Sequence, residues 1–177
     1  EQNKSNRELF VMDIDGQNKK QITCTPESEG NAVWIDGGKQ IAYLSGKSGD
    51  SQLWIMNADG SNARQISYHE KGVHGFLFSP DEKHILFIGN VKYSEKASDL
   101  YPDLDKATGR VIDDLMYKHW DEWVTTVPHP FVADFDGESI SNPVDVMEGE
   151  LFESPMKPFG GIEQLAWNTT SDKIAYT

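Results

Sequence analysis

Hydrophobic residues along this chain fall in short runs, and one such run returns after a fixed interval. Residues 8–16, ELFVMDIDG, match residues 52–60, QLWIMNADG, without a gap. A second landmark is an aromatic residue followed at a constant distance by a three-residue apolar group, and it occurs at Trp34, Phe78 and Trp167. A period of about forty residues predicts repeated small sheets, because one such unit cannot bury both of its faces alone.

Each repeat is expected to form four short strands separated by turns. In one repeat these strands cover residues 32–35, 40–45, 52–57 and 63–67. Asp-Gly pairs at residues 15–16, 59–60 and 136–137 place a glycine where a tight antiparallel turn needs a positive φ. The apolar runs do not alternate with polar residues, which indicates strands that are covered on both faces.

The period and the strand count together predict the fold class. Four-stranded antiparallel units of about forty residues that pack face to face are typical of β-propeller blades. We therefore predict an all-β fold, a partial β-propeller of four-stranded antiparallel blades with one helical insertion. A β-sandwich is the alternative, but it would leave the exact period unexplained.

The predicted units add up to about three blades. They are a half blade at residues 8–23, a blade at 30–67, a blade at 72–146 with an insertion at 91–127, and a half blade at 162–177. Closed propellers have about four to eight blades. The chain is therefore expected to be a fragment of a longer protein.

The insertion has a different pattern from the repeats. Apolar and aromatic residues recur there at helical spacing, at Ile112, Leu115, Met116, His119 and Trp123. This stripe predicts an amphipathic helix. Asp114 and Lys118 would add a favourable pair one helical turn apart.

Charge and hydropathy exclude several classes of function. The chain has 16 basic and 29 acidic residues and a formal net charge of −13, which would repel a phosphate backbone, so nucleic acid is excluded as a partner. No apolar stretch reaches the roughly twenty residues needed to cross a bilayer, so no membrane span is predicted. The polar residues 1–7 do not resemble a signal peptide, so either export is absent or a leader has been removed.

No metal or cofactor site is predicted. Cys24 is the single cysteine, which excludes an intramolecular disulfide and a cysteine-based metal cluster. The five histidines, at positions 69, 74, 84, 119 and 129, lack metal-ligand spacing. The Asp-x-Asp-Gly segments at residues 13–16 and 134–137 lack the closing glutamate of a calcium loop, and turn chemistry explains them better.

Two stretches resemble known families. Residues 52–67 followed by residues 78–87 resemble the blade repeat of TolB-type propellers. Residues 115–134, LMYKHWDEWVTTVPHPFVAD, are similar to the amino-terminal propeller of prolyl-oligopeptidase-family serine peptidases, on their dipeptidyl-peptidase and acylaminoacyl-peptidase branch. The second resemblance implies a carboxy-terminal α/β-hydrolase domain that carries the catalytic triad, and a propeller that restricts entry to short peptides. These 177 residues contain no Gly-x-Ser-x-Gly nucleophile motif, so no catalytic residue is predicted here.

The resemblance also implies a substrate-binding site. Dipeptidyl peptidases place an acidic pair on a propeller insertion to hold the amino end of the substrate, and the pair here would be Asp121 and Glu122, flanked by Trp120 and Trp123. Adjacent carboxylates can accept strong charge-assisted hydrogen bonds from an ammonium group. The alternative is that the two tryptophans pack a helix onto its blade and the two acids are its solvated face.

Two functions follow from these observations. The first is the non-catalytic propeller portion of an exported, periplasmic serine peptidase acting on short peptides, although a cytoplasmic location also agrees with the sequence. The second is a freestanding TolB-like propeller that serves as a protein-binding scaffold. In either case the half blades at the two ends have unpaired strand edges, which predicts a homodimer formed through them.

Overall fold

The computed structural model describes residues 5–112, 115 and 117–177. Within these residues there are fourteen strands, one short α-helix and two single turns of 3₁₀ helix. The strands are β1 (Phe10–Val11), β2 (Lys20–Gln21), β3 (Glu29–Ile35), β4 (Gln40–Ser45), β5 (Gln52–Asn57), β6 (Arg64–Gln65), β7 (Val73–Phe78), β8 (His84–Lys92), β9 (Lys118–His119), β10 (Glu122–Trp123), β11 (Thr126–Phe135), β12 (Ile140–Asp145), β13 (Leu165–Trp167) and β14 (Ile174–Tyr176). The helix α1 spans Ala97–Leu100, and the 3₁₀ turns span Asp36–Gly38 and Ile162–Gln164.

Two four-stranded antiparallel sheets form the centre of the described fold. One has the strand order β3-β4-β5-β6, and the other has the order β12-β11-β8-β7. The pairs β1-β2 and β13-β14 form two further antiparallel ribbons. The predicted fold class is confirmed, since the sheets are antiparallel and four-stranded.

The repeat seen in the sequence is a repeat of strand register. Trp34 pairs with Ile41 across β3 and β4, and Phe78 pairs with Ile85 across β7 and β8. Trp167 pairs with Ile174 across β13 and β14. The three aromatic residues therefore occupy the same position on the first strand of their sheets.

The sheets are buried against one another on both faces. The main core lies between the two four-stranded sheets and includes Ile55 and Ile85, neither of which has measurable exposure, together with Phe87. A second cluster joins the first sheet to the β1-β2 ribbon, and a third joins the second sheet to the β13-β14 ribbon. This stacking is the reason that the strands read as continuous apolar runs.

The Asp-Gly turns close hairpins in the same way in different sheets. The Asp59 carboxylate accepts a hydrogen bond from the Ser61 backbone N–H at 2.9 Å, and Asp136 accepts one from the Glu138 N–H at 2.9 Å. Gly60 has φ +89°, and a Cβ there would lie 2.7 Å from the Ile22 carbonyl oxygen. Only glycine fits that position without a backbone shift.

The insertion leaves the second sheet between β8 and β11. These two strands pair along their whole length, from His84 with Asp134 to Lys92 with Thr126, and residues 93–125 extend beyond their end. In the described part of the insertion the α-helix is α1, a single turn.

The amphipathic helix predicted around residues 112–123 is wrong. Residues 118–123 form the hairpin β9-β10, in which His119 pairs with Glu122, and Trp120 has φ +55° at the turn. Leu115, Ile112 and Trp123 are 90 %, 47 % and 43 % exposed, so these described members of the stripe are not buried as the apolar face of a packed helix would be. The Trp123 ring instead packs beside Tyr117 and against the cations of Arg110 and Lys118. The predicted Asp114–Lys118 pair and the Met116 position fall outside the described residues.

No helix within the described ranges is both long and apolar enough to cross a bilayer.

Candidate functional site

The hairpin β9-β10 brings the four predicted site residues to one wall of a cleft. Trp120 and Asp121 form its two-residue turn, and Glu122 and Trp123 form the strand that follows. All four residues line a cleft of about 580 Å³. These residues were predicted to lie on a helix. They lie together because the turn and the second strand of one hairpin carry them.

The opposite wall, or far wall, comes from the segment between β12 and β13. Glu153, Lys157, Pro158 and Gly160 line the cleft from this side. The exposed Phe159 ring of this segment contacts the Trp120 ring edge to face, with 6.2 Å between the centroids. The two walls therefore meet at a pair of aromatic rings.

The two acids are available for a ligand. Across residues 5–112, 115 and 117–177, neither the Asp121 nor the Glu122 carboxylate takes part in an ion pair or a side-chain hydrogen bond. Both side chains are exposed to the cleft. Two adjacent carboxylates beside aromatic rings are suited to a ligand that carries a positive charge.

Trp123 has a different environment from Trp120. The Arg110 guanidinium lies 4.7 Å from the centroid of the Trp123 ring, and the Lys118 ammonium lies 4.9 Å from it. Tyr117 packs beside the same ring at 6.1 Å. Because these contacts already occupy Trp123, we infer that it fixes the hairpin, whereas Trp120, which is 74 % exposed, is the ring that a ligand can reach.

A buried histidine ties the far wall to the second sheet. His129 is 1 % exposed; its Nδ1 lies 2.9 Å from a carboxylate oxygen of Asp145, and its Nε2 lies 3.0 Å from the carbonyl oxygen of Phe152. Both partners are acceptors, so either ring nitrogen can donate a hydrogen bond to an oxygen when it carries a proton. The Ser154 N–H also donates to the Pro128 carbonyl at 2.9 Å. These bonds fix the start of the segment that carries Lys157.

His74 lies where the cleft meets two further cavities. It lines the cleft, a recess of about 120 Å³ and a third cavity that also contains Glu29. Burial lowers the pKa of His74, and the nearby charges of Lys157 and His69 lower it further. Its Nε2 lies 2.9 Å from the Asn90 amide nitrogen. The neutral ring accepts this hydrogen bond.

Sequence reasoning missed the far wall and the histidines. Glu153, Lys157 and Phe159 lie outside the repeat and outside the stretch that resembles peptidases. A usable signal was the Pro-Met-Lys-Pro-Phe-Gly-Gly run at residues 155–161, since a loop rich in proline and glycine can hold side chains in a fixed place. His129 was considered only as a metal ligand, and its role as a buried hydrogen-bond donor had no sequence signal.

Metal ligands do not cluster in the part of the chain that the structure describes. No group of three or more histidine, cysteine, aspartate or glutamate side chains there is placed to hold an ion. The aspartates of the two Asp-x-Asp-Gly segments serve turns: Asp15 accepts a hydrogen bond from the Gln17 N–H, and Asp136 accepts two from its own turn.

Comparisons with known proteins agree with this architecture. Residues 1–120 match the family model of the TolB beta propeller domain. The chain is 53 % identical over 174 residues to dipeptidyl-peptidase 5 of Porphyromonas gingivalis, and 42 % identical over 174 residues to dipeptidyl-peptidase 5 of Porphyromonas endodontalis. Each alignment covers 98 % of this chain and 25 % of the relative, so the chain spans about a quarter of the length of these curated relatives.

A solved structure shows the same fold at low sequence identity. The acylaminoacyl peptidase of Pyrococcus horikoshii superposes with a TM-score of 0.51 at 12 % identity, over 77 % of this chain and 20 % of that one. The sheets, their common register and the matching family model lead to one conclusion: the chain belongs to the TolB β-propeller domain family.

Proposed function

We propose that this chain is the propeller portion of an exported serine peptidase that acts on short peptides, and that its cleft holds the amino end of the substrate. The main observation in support is that the Asp121 and Glu122 carboxylates line one cleft, next to the exposed Trp120 ring, without an ion pair or side-chain hydrogen bond to any described residue. The similar dipeptidyl-peptidase 5 proteins support the peptidase assignment. The reaction itself would take place in an α/β-hydrolase domain elsewhere in the protein.

The chemistry of the cleft suits a peptide ammonium group. An enzyme that releases dipeptides must locate the free amino end, and two carboxylates bind an ammonium by charge-assisted hydrogen bonds. The exposed Trp120 ring lines the same cleft and can add a cation–π contact with the ammonium group. The position of the cleft beyond the end of β8 and β11 leaves it open to a domain that covers this end of the sheets.

The test uses the full-length protein that carries this chain. Chromogenic dipeptide substrates with a free amino end are compared with their N-acetylated forms. We expect acetylation to abolish turnover, and Asp121→Asn with Glu122→Gln to lower kcat/KM about tenfold to a hundredfold, since about 1.4 to 3 kcal/mol of transition-state binding is lost. The matched control is Asp105→Asn, which removes one negative charge at an exposed position outside the cleft. It should leave kcat/KM unchanged. Equal kcat/KM in the double variant and the unaltered protein would overturn the proposal.

A second function is favoured by exposed apolar side chains on the insertion and on the segment between β12 and β13. Leu115, Phe159 and Phe152 are 90 %, 86 % and 72 % exposed. Such a surface also fits a freestanding propeller that binds a protein partner. In that case Phe152→Ser would abolish binding of the partner protein. The full-length protein that contains this chain would then have no peptidase activity.

We also propose that the 177-residue chain, separate from the longer protein, forms a homodimer through its two-stranded ribbons. The ribbons β1-β2 and β13-β14 have only two strands each, where the central sheets have four. Pairing of residues 10–21 in one copy with residues 165–176 in another would complete two four-stranded sheets. Light scattering should give twice the monomer mass at high concentration, and a strict monomer would contradict this.

A further inference from the structure

The wall that faces the hairpin carries an ammonium group without a partner. Lys157 forms no ion pair with any residue that the structure describes, although the cleft contains Asp121, Glu122 and Glu153. The acids of the hairpin and the cation of the far wall therefore remain separate across the cleft. The far wall also carries Glu153, whose carboxylate accepts the Lys157 backbone N–H. A cleft with two carboxylates on one wall and an ammonium on the other, none of them paired with a described residue, suits a ligand that itself carries both charges.

A small recess lies next to Lys157. It has a volume of about 120 Å³, and its apolar lining comes from Ile88, Pro128 and Pro155. Lys157, His74 and Gly160 line both this recess and the cleft. The volume is enough for a few methylene groups, so the recess suits one side chain rather than a segment of peptide.

Lys157 supplies the positive charge of these two cavities. Among the described residues that line them there is no other lysine or arginine. Desolvation and the nearby charge of Lys157 both lower the pKa of His74, so Lys157 is the stronger cation of the two. A negatively charged ligand group that enters the recess would therefore meet the Lys157 ammonium.

The backbone around Lys157 is held in place. The Lys157 N–H donates to the Glu153 carboxylate at 3.1 Å, and the Gly160 N–H donates to the Met156 carbonyl at 2.8 Å. The Met156 N–H donates to the Gln164 side-chain oxygen at 2.9 Å. Because the backbone is already fixed, less conformational entropy is lost when a ligand binds to Lys157.

We propose that Lys157 is a specificity-determining residue that binds a carboxylate of a short peptide, with the methylene groups next to that carboxylate in the recess. This inference rests on the proposed function, since the amino end of the same peptide lies on Asp121 and Glu122. The carboxylate can come from an acidic side chain or from the carboxyl end of a dipeptide. The cleft thus selects short peptides that are negatively charged close to their amino end.

The experiment measures the binding of four dipeptides to the 177-residue chain by calorimetry or NMR titration. Ala-Glu-amide is compared with Ala-Gln-amide, and Ala-Ala is compared with Ala-Ala-amide. We expect the first member of one or both pairs to bind about threefold to tenfold tighter at low salt, with the difference reduced at 0.5 M salt. The pair that shows the difference identifies the source of the carboxylate.

Variants separate the lysine from the fold. Lys157→Met, which keeps the length of the side chain, should abolish the preference, while Lys106→Met at an exposed site outside the cleft should retain it. Equal binding of Ala-Glu-amide and Ala-Gln-amide, together with equal binding of Ala-Ala and its amide, overturns the inference and leaves the proposed function standing. A preference that survives Lys157→Met also overturns it. A fifth peptide, N-acetylated Ala-Glu-amide, tests the proposed function. If it binds as tightly as Ala-Glu-amide, the proposed function is overturned and this inference with it.

Discussion

The stacked sheets and the insertion hold their side chains in opposite ways. In the sheets, Ile55 and Ile85 have no measurable exposure and contact apolar neighbours from two layers. In the insertion, Trp120 is 74 % exposed, and the contacts of Trp123 are with cations and a ring. Exposed contacts of this kind contribute about 0.5 to 1 kcal/mol each, far less than a buried side chain. The sheets therefore determine stability, and the insertion is free to serve binding.

The largest expected effect is the loss of a buried ring from the core. Phe87 is 2 % exposed and stacks on Phe131 at 5.2 Å. Phe87→Ala should lower the free energy of unfolding by about 3 to 5 kcal/mol, because a cavity remains between the sheets. Phe159→Ala, which removes an equal but 86 % exposed ring at the cleft, should change it by less than about 0.5 kcal/mol. Urea denaturation measures both, and equal losses would remove the contrast between the two regions.

The second effect concerns two histidine–aspartate pairs that differ in burial. His129 with Asp145 is buried, whereas His84 with Asp134, at 3.3 Å, has side chains 38 % and 54 % exposed. His129→Ala should cost about 3 kcal/mol, since it removes the buried ring from the Phe152 carbonyl and from the Asp145 carboxylate, which then retains the Met147 N–H alone. His84→Ala should cost no more than about 1 kcal/mol. Thermal unfolding monitored by near-UV circular dichroism compares the two, and a cost for His84→Ala equal to that for His129→Ala would contradict the burial argument.

The third effect depends on pH and arises in the first sheet. Burial raises the pKa of the Glu29 carboxyl above 4.5, although hydrogen bonds from Thr25 and Ser45 oppose this, and the neighbouring Glu8 adds to it. The folded state therefore retains a proton that the unfolded state releases, so this contribution to stability is complete below about pH 4.5 and is lost as the pH rises through the folded pKa. Glu29→Gln keeps an oxygen for Thr25 and Ser45 and cannot ionise.

The stability of the unaltered chain should thus fall relative to that of Glu29→Gln as the pH rises above about 4.5. Urea midpoints at a series of pH values measure the difference, with Glu138→Gln on an exposed turn as the control. A difference that does not change with pH would show that Glu29 ionises in its ordinary range. The same neighbourhood raises the pKa of Tyr43 to about 12, through burial first and the charge of Glu29 second, so Tyr43 stays neutral throughout.

The smallest effect on stability is expected at the hairpin turn. Trp120 has φ +55°, a conformation that costs a bulky side chain about 1 kcal/mol. Trp120→Gly relieves this cost and Trp120→Ala does not, so the glycine variant should be more stable than the alanine variant by about 1 kcal/mol. Both variants should lose peptide binding, because both lack the ring. A glycine variant less stable than the alanine variant would show that the turn is not strained.

The repeat could be predicted in detail because its signals agree with one another. The strands expected at residues 40–45 and 52–57 are β4 and β5 of the structure, where apolar runs are bounded by glycine turns. The insertion lacks this agreement: the spacing of Leu115, His119 and Trp123 fits a helix, but Leu115 is exposed and the other two lie on the strands of a hairpin. The composition of residues 155–161 indicates a fixed loop, but its position opposite the hairpin could not be predicted, since the contact of Trp120 with Phe159 joins segments thirty-nine residues apart.

The measurement that tests the account most directly is an NMR titration of the isotopically labelled chain with Ala-Gln-amide and with its N-acetylated form. The account predicts that the free peptide shifts the Trp120 indole N–H signal and the backbone signals of Asp121 and Glu122, and that Asp121→Asn with Glu122→Gln removes these shifts. The acetylated peptide should leave them unchanged. Equal shifts with both peptides, or shifts confined to the sheets, would contradict the claim that this cleft recognises a free amino end.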